Sequence, residues 1–285
     1  MARTPRRESA SDIHHVMNRG VDRQTIFFTD HDRLDFEALL AQACEQHGIE
    51  LLAFCLMGNH FHLLVRAPTG ALSVAMQWAC GTYVRHVNDR LGRDGPLLRG
   101  RFLSIPVETD RYLVTVARYI HRNPLDLPGV TSASAYRWSS LPMYLGTRPC
   151  PGHVETATLL GYFDSPESLR TFTEDPEAAP PGTVASSWSA ADLRSMVAYA
   201  IARDDLEADP GDVVRQSLDR VILALVARRT DGGLRHAALS ALGSPSPGAV
   251  KMAGSRAERR LRADPAVTRV LARVMDDLRG LRPAA

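Results

Sequence analysis

An α+β domain followed by an all-helical region is the fold class this sequence predicts, and three observations predict it. Short apolar segments with strand-like alternation occur only in the first 107 residues, where two long segments with three- and four-residue apolar steps separate them. Residues 188–285 hold helical patterns throughout. Between the two lies 174–187, a stretch containing Pro176, Pro180, Pro181 and Gly182, which reads as a linker. The expected organisation is therefore a first domain over 1–173, a linker over 174–187 and a helical domain over 188–285.

Taken in order, Ile13-His14-His15-Val16-Met17-Asn18 reads as a first strand, followed by Arg19-Gly20 and a polar loop. Thr29 or Asp30 can cap a helix running to about Gln46, because their side-chain oxygens accept from the orphan amides of a first turn. Leu34, Ala38 and Leu39 lie on its apolar stripe, and Gly48 ends it. Residues 49–56 make a second strand, and Gly58-Asn59 is a hairpin-type connection into a third that starts at His60, so these two strands should pair antiparallel. A second helix covers 71–91, with Leu72, Ala75, Met76, Ala79, Tyr83 and Val87 at helical steps. After a loop rich in glycine and arginine, residues 101–107 alternate like a fourth strand, and Pro106 assigns it to an edge. A third helix runs from Arg111 to Asn123 and stops at Pro124. The order β-α-β-β-α-β-α is that of a ferredoxin-like split unit with an added helix beside its central hairpin. Tyr136 to Ser140 and residues 153–173 extend this domain. Beyond the linker the expected helices cover 190–203, 210–228, 234–242, 247–262 and 265–279, with prolines at first-turn positions.

Composition bounds the function. The chain has 285 residues, 45% of them apolar, which suffices for real cores. No apolar run reaches the roughly 18–20 residues needed to span a bilayer, and the N-terminus lacks the apolar core of a signal peptide, so a cytoplasmic protein without a membrane partner is expected. Cys44, Cys55, Cys80 and Cys150 show no C-x-x-C spacing and read as small buried apolar residues. A net charge of +2 does not announce a nucleic-acid partner by itself. Lys251 is the only lysine among 34 basic residues, and the arginines that make up the rest suit phosphate and base-edge contacts.

The chemistry concentrates at His60-Phe61-His62. Side chains alternate along a strand, so His60 and His62 point the same way, about 6.6 Å apart at Cα, and two imidazoles so placed can share a divalent ion. Composition alone makes one such pair unsurprising; the third helix supplies the context. Tyr119 and Asn123 are four residues apart, one turn along one helix face, so a phenolic nucleophile and an oxygen ligand could approach the same metal. Tyr83 and Tyr112 are the rival tyrosines, and both read as structural. His14, His15 and His121 read as satisfied or exposed histidines rather than ligands.

The string from His14-His15-Val16-Met17-Asn18-Arg19-Gly20 through Asn59-His60-Phe61-His62 and Gly95-Pro96-Leu97-Leu98-Arg99-Gly100-Arg101-Phe102 to Tyr119-Ile120-His121-Arg122-Asn123-Pro124 resembles the single-tyrosine HUH endonucleases. Within them it is similar to the REP-associated tyrosine transposases, over about the first 170 residues. The resemblance implies an HUH nuclease fold, Mg²⁺ or Mn²⁺ held by His60, His62 and Asn123, and Tyr119 attacking single-stranded DNA at hairpin-flanked sites such as REP palindromes to leave a 5′-phosphotyrosine. Relatives commonly read Gly-His-Leu-Trp-Gln-Gly-Arg-Phe where this chain has residues 95–102; the departure bears on sequence preference rather than cleavage. Arg19, Arg99 and Arg101 are candidates for phosphate contacts.

In the second domain a helix, a Gly243-Ser244 break and a second helix have helix-turn-helix proportions, similar to the DnaA-like carboxy-terminal domain of some of these transposases. Lys251, Arg256 and Arg259 would line the second helix and could face duplex DNA. The expected assembly is a monomer or homodimer. A catalytically idle DNA-binding regulator and a His-x-His metallohydrolase are the alternative functions.

Overall fold

Strands and helices follow the expected order in the computed structural model, which describes residues 10–150, 152–182, 184, 188–207 and 218–279. The chain divides into two units, residues 1–107 with 113–178 and residues 108–112 with 179–285. To residue 122 the elements are β1 (Ile13–Arg19), α1 (Asp30–His47), β2 (Glu50–Leu56), β3 (His60–Arg66), α2 (Ala71–Leu91), β4 (Leu103–Pro106) and α3 (Asp110–Arg122). The sheet order is β2-β3-β1-β4 with every pairing antiparallel, the ferredoxin-like arrangement, so β3 lies in the interior of the sheet beside β1. β4 is an edge strand, as Pro106 requires, but is shorter than the 101–107 expected: only Leu103 to Pro106 pair with β1, while Arg101 remains in the preceding loop.

Alternation along β1 and β3 sorts the two faces of the sheet. Val16, Phe61, Leu63 and Val65 go to one face and join Phe36, Leu39 and Leu40 of α1 and Met76 and Tyr83 of α2 in the core. Phe36 stands 4.9 Å from Phe61 and 5.0 Å from Tyr83, centroid to centroid. Each of these fully buried aromatics contributes on the order of 2–3 kcal/mol through burial alone. The opposite face therefore receives His15, Met17 and Arg19 from β1 and His60, His62 and Leu64 from β3.

Helix α1 begins with a capping box. The Thr29 hydroxyl accepts from the Asp32 amide, while the Asp32 carboxylate accepts from the Thr29 amide at 2.8 Å and pairs with Arg90 of α2. Gly48, at φ 63°, closes the helix in the left-handed region that a side chain would disfavour. Replacing Thr29 with alanine is expected to lower stability by about 1 kcal/mol, read as a lower urea midpoint with an unchanged slope.

The free edge of β2 is covered by the predicted extension. The Leu56 amide donates to the Trp138 carbonyl at 2.8 Å, the Tyr136 hydroxyl donates to the Leu56 carbonyl at 2.9 Å, and bridges join Cys55 to Ser139 and Leu51 to Val154. Covering an edge in this way removes a template for unwanted strand pairing. Helices α4 (Leu141–Tyr144), α5 (Ala157–Leu160) and α6 (Pro166–Glu174) follow. Glu174, expected to open the linker, is instead the last residue of α6; its carboxylate accepts from the hydroxyls of Ser132 and Ser134 at 2.6 and 2.7 Å.

The second unit contains α7 (Ala190–Glu207), α8 (Leu218–Arg229), α9 (Gly232–Ala241), α10 (Pro247–Ala263) and α11 (Pro265–Arg279). Of the helix expected over 210–228, residues 210–217 lie outside the described residues. Leu193, Val197, Ile222, Leu225, Val226, Val267, Val270 and Val274 form the buried interior of this unit. Among the described residues no helix is long and apolar enough to cross a membrane. All four cysteines are free, and the expectation that each is buried holds for Cys55; Cys44 and Cys80 are half-buried, and Cys150 is exposed on a loop after α4.

Candidate active site

Phe61 explains why two histidines flank an apolar residue. Its ring is anchored among Phe36 and the rest of the α1/α2 core, which turns His60 and His62 to the other face of the sheet. Their rings stand 5.1 Å apart and nearly perpendicular, at 83°. His62 is buried, whereas His60, at the start of β3, is half-buried.

Helix α3 faces this pair. The Tyr119 ring lies 5.4 Å from the His62 ring in an edge-on arrangement of 86° and 6.1 Å from His15. Tyr119 is half-buried, unlike its rivals: Tyr83 and Tyr112 are each 1% exposed. The Tyr83 hydroxyl donates to the Ile26 carbonyl at 2.6 Å, and burial pushes both of these phenols well above the ordinary tyrosine range. A phenol held that far from ionisation inside a core is a structural group.

Asn123 sits one residue past α3, where Pro124 cannot extend the helix and the chain enters a 3-10 turn over Asn123–Asp126. Its amide nitrogen points to the Tyr119 carbonyl at 3.5 Å, which turns its carbonyl oxygen toward His60 Nε2 at 3.3 Å. On the other side of that ring, His60 Nδ1 is 2.7 Å from Asn59 Oδ1, and the Asn59 amide nitrogen donates to the Arg23 carbonyl at 3.3 Å. An amide oxygen only accepts, so the proton in the His60–Asn59 contact belongs to Nδ1. In the neutral ring Nε2 then carries a lone pair, and it faces a second acceptor, Asn123 Oδ1. Two acceptors converging in this way fit a cation between them. Among the described residues no three His, Cys, Asp or Glu side chains gather to hold a metal, and beside the histidine pair the Asn123 oxygen is placed where it could serve as a further ligand.

His15 of β1 was expected to be a bystander, and it is instead part of this cluster. It is fully buried, with Nε2 3.1 Å from His62 Nδ1, and burial pushes its pKa down to about 3, so it is neutral at ordinary pH. His121 behaves as expected: buried, bonded through Nε2 to the Ser140 hydroxyl at 2.9 Å, and likewise pushed down to about 3. His14 is buried and contacts the Ser104 hydroxyl at 3.1 Å.

Arginines crowd the rim. Arg19 is directly opposite His60 in the β1/β3 register. It is buried, donates to the Gly20 carbonyl at 3.1 Å, and has its pKa lowered by burial and by the neighbouring charges of Arg99 and Arg23. The loop before β4 is tied to the end of β1 through Arg99 N to the Arg19 carbonyl at 2.9 Å and Asn18 Nδ2 to the Gly100 carbonyl at 3.0 Å. Leu97, Leu98 and Phe102 are buried there, which leaves Arg99 and Arg101 exposed. Sequence reasoning gave no site role to Arg23, Asn59 or His15, although His15 and Asn59 both lie within the motif string.

Lys251, Arg256 and Arg259 are all exposed on α10 in the second unit. Glu258 of the same helix is turned away into an ion pair with Arg229 at 2.9 Å. The turn before α10 contains Gly243 and Ser244, both at positive φ.

Comparison with known proteins follows the same residues. A family model described as IS200-like transposase matches residues 9–123. A solved REP-associated tyrosine transposase bound to a REP hairpin is 14% identical, aligned over 54% of this chain and 92% of its own, with a TM-score of 0.44. A putative transposase from Deinococcus radiodurans R1 is 18% identical over 42% of this chain and 97% of its own, with a TM-score of 0.31. No curated protein matches the chain. The segment matched by the family model spans β1 to α3 and contains all of His60, His62, Tyr119 and Asn123, so the chain is similar to the IS200-like transposases over its first unit.

Proposed function

We propose that this protein is a transposase, a metal-dependent single-stranded DNA endonuclease and strand transferase that joins Tyr119 to the 5′-phosphate of the cut strand. The observation that supports this reading best is the convergence of the half-buried Tyr119 ring on His62 at 5.4 Å beside the His60 Nε2 and Asn123 Oδ1 acceptors. His60, His62 and Asn123 would hold Mg²⁺ or Mn²⁺, which when bound polarises a phosphoryl oxygen and offsets the charge that builds there during in-line attack. The Tyr119 oxygen bonds to phosphorus, the P–O3′ bond breaks, and the phenol proton leaves as the 3′-oxygen becomes a hydroxyl. The new phosphotyrosine conserves the bond, so a returning 3′-hydroxyl can reseal a strand without nucleotide hydrolysis.

Arg19, Arg23 and Arg99 bring three positive charges together at the end of β1, a crowding that a DNA phosphate would relieve. The substrate class, a single strand with a hairpin of the REP kind, rests on the motif string shared with REP-associated transposases. The exposed Lys251, Arg256 and Arg259 of α10 support a second contact, with duplex DNA, by a helix-turn-helix-like α9/α10 pair of DnaA-like type.

The test is product chemistry. Incubation with labelled hairpin-bearing single strands and Mn²⁺ is expected to give a protein–DNA adduct that survives denaturation. Binding without cutting would instead identify a regulator, and cutting without an adduct a hydrolase. Asn123 gives a second expected result. Asn123→Ala should weaken Mn²⁺ binding at least about tenfold, and Asn123→Asp, whose carboxylate is the stronger oxygen ligand, should bind Mn²⁺ at least as tightly as the native chain. Titration calorimetry reads both.

A further inference from the structure

His60 and His62 are each held at Nδ1, but by partners of different kind. Asn59 Oδ1 can only accept, which fixes the His60 proton on Nδ1. The partner of His62 Nδ1 is another imidazole, His15 Nε2 at 3.1 Å, and an imidazole nitrogen can accept or donate. Which of the two it does decides what His62 offers from its other nitrogen. If His15 donates, the His62 proton moves to Nε2 and no lone pair is left there. If His15 accepts, His62 is fixed as the Nδ1–H form and Nε2 is a lone pair.

We propose that His15 is a positioning residue, accepting at Nε2 the Nδ1–H of His62 so that His62 presents a lone pair at Nε2 toward the metal-binding face. The register supports it: His15 pairs with Leu64 and His62 with Met17, so the two imidazoles are diagonal neighbours on one face of the central strands, within reach only because β1 and β3 are adjacent. A neutral imidazole has one acceptor nitrogen, so a His15 ring that accepts at Nε2 carries its own proton on Nδ1. The contact gives His62 what Asn59 gives His60, so both candidate ligands have orientation and tautomer set from behind. An outer partner of this kind fixes the ring and raises its basicity.

The inference rests on the metal reading above, and the experiment separates the two. In metal-free, ¹⁵N-histidine-labelled protein, long-range proton–nitrogen correlation through the ring protons is expected to show His62 with a pyrrole-type Nδ1 and a pyridine-type Nε2. The reverse pattern overturns the proposal without any variant being made. In Mn²⁺ titrations, His15→Phe with a native-like NMR spectrum is expected to bind about 10–100-fold more weakly, and His15→Gln, whose amide oxygen can accept the same proton, to recover most of the loss. Equal affinity in His15→Phe and the native chain overturns the role of His15 alone. Failure of the native chain to bind Mn²⁺ at all overturns the metal reading and this proposal with it.

Discussion

Tyr119→Phe is expected to eliminate the covalent protein–DNA product while leaving the fold and Mn²⁺ binding in place. The Tyr119 ring packs against His62 at 5.4 Å and His15 at 6.1 Å, and phenylalanine preserves that packing while removing the oxygen proposed to attack phosphorus. Loss of a nucleophile that forms the covalent intermediate lowers turnover by roughly three to six orders of magnitude, so adduct on a denaturing gel should fall below detection. Two controls give the result its meaning. Tyr83→Phe removes the hydroxyl that donates to the Ile26 carbonyl and should cost about 1 kcal/mol or more of stability, yet it should still form adduct. Tyr112→Phe removes a buried hydroxyl with no partner among the described residues, and should leave adduct formation unchanged. Persistent adduct in Tyr119→Phe, or its loss in either control with the fold intact, would assign the nucleophile elsewhere.

Much of this site was legible because its parts are local. The alternation that turns His60 and His62 to one face needs only the strand period and a core-bound Phe61, and the one-turn spacing of Tyr119 and Asn123 needs only the helix period; both are properties of short windows of sequence. His15 was hidden for the opposite reason. Its role depends on β1 lying beside β3 in a register that pairs Met17 with His62, a long-range fact that no window reveals, and a buried histidine looks the same in sequence whether it backs another imidazole or, like His121, a serine. Helix limits followed the same rule. Where a cap was written into the sequence, at Thr29 and Gly48, the helix begins and ends there. Where no cap was read in the sequence, as at the end of α7, the helix runs on to Glu207, past the expected Arg203. Cys150 was misread because residue type predicts burial only on average, and its loop carries it outward.

The two fully buried imidazoles make a second large effect, on stability rather than chemistry. His15 and His121 are both held to about 3 by burial, against 6.5 for an unfolded histidine. As pH falls below 6.5 the unfolded chain takes up a proton at each, and the folded chain does so only near pH 3, so the unfolded state binds more protons across that window and stability must fall with falling pH. It is fully present above about pH 7. At pH 5 the difference is about 1.5 pH units of linkage per histidine, about 2 kcal/mol each, and about 4 kcal/mol for the pair. Set against a typical total of about 5–15 kcal/mol, that is a large share. Urea unfolding in metal-free buffer, followed by fluorescence, is therefore expected to show the midpoint falling steeply between pH 7 and pH 5, well before the ordinary carboxylates titrate. His121→Gln isolates one contribution, because the glutamine amide can keep the bond to the Ser140 hydroxyl while carrying no titrating proton. Its stability at pH 7 should be somewhat lower than that of the native chain, but its loss between pH 7 and pH 5 should be smaller by about 2 kcal/mol. An identical pH slope in the two proteins would mean that His121 becomes protonated without unfolding, through an opening of the segment that joins Ser140 to the end of α3.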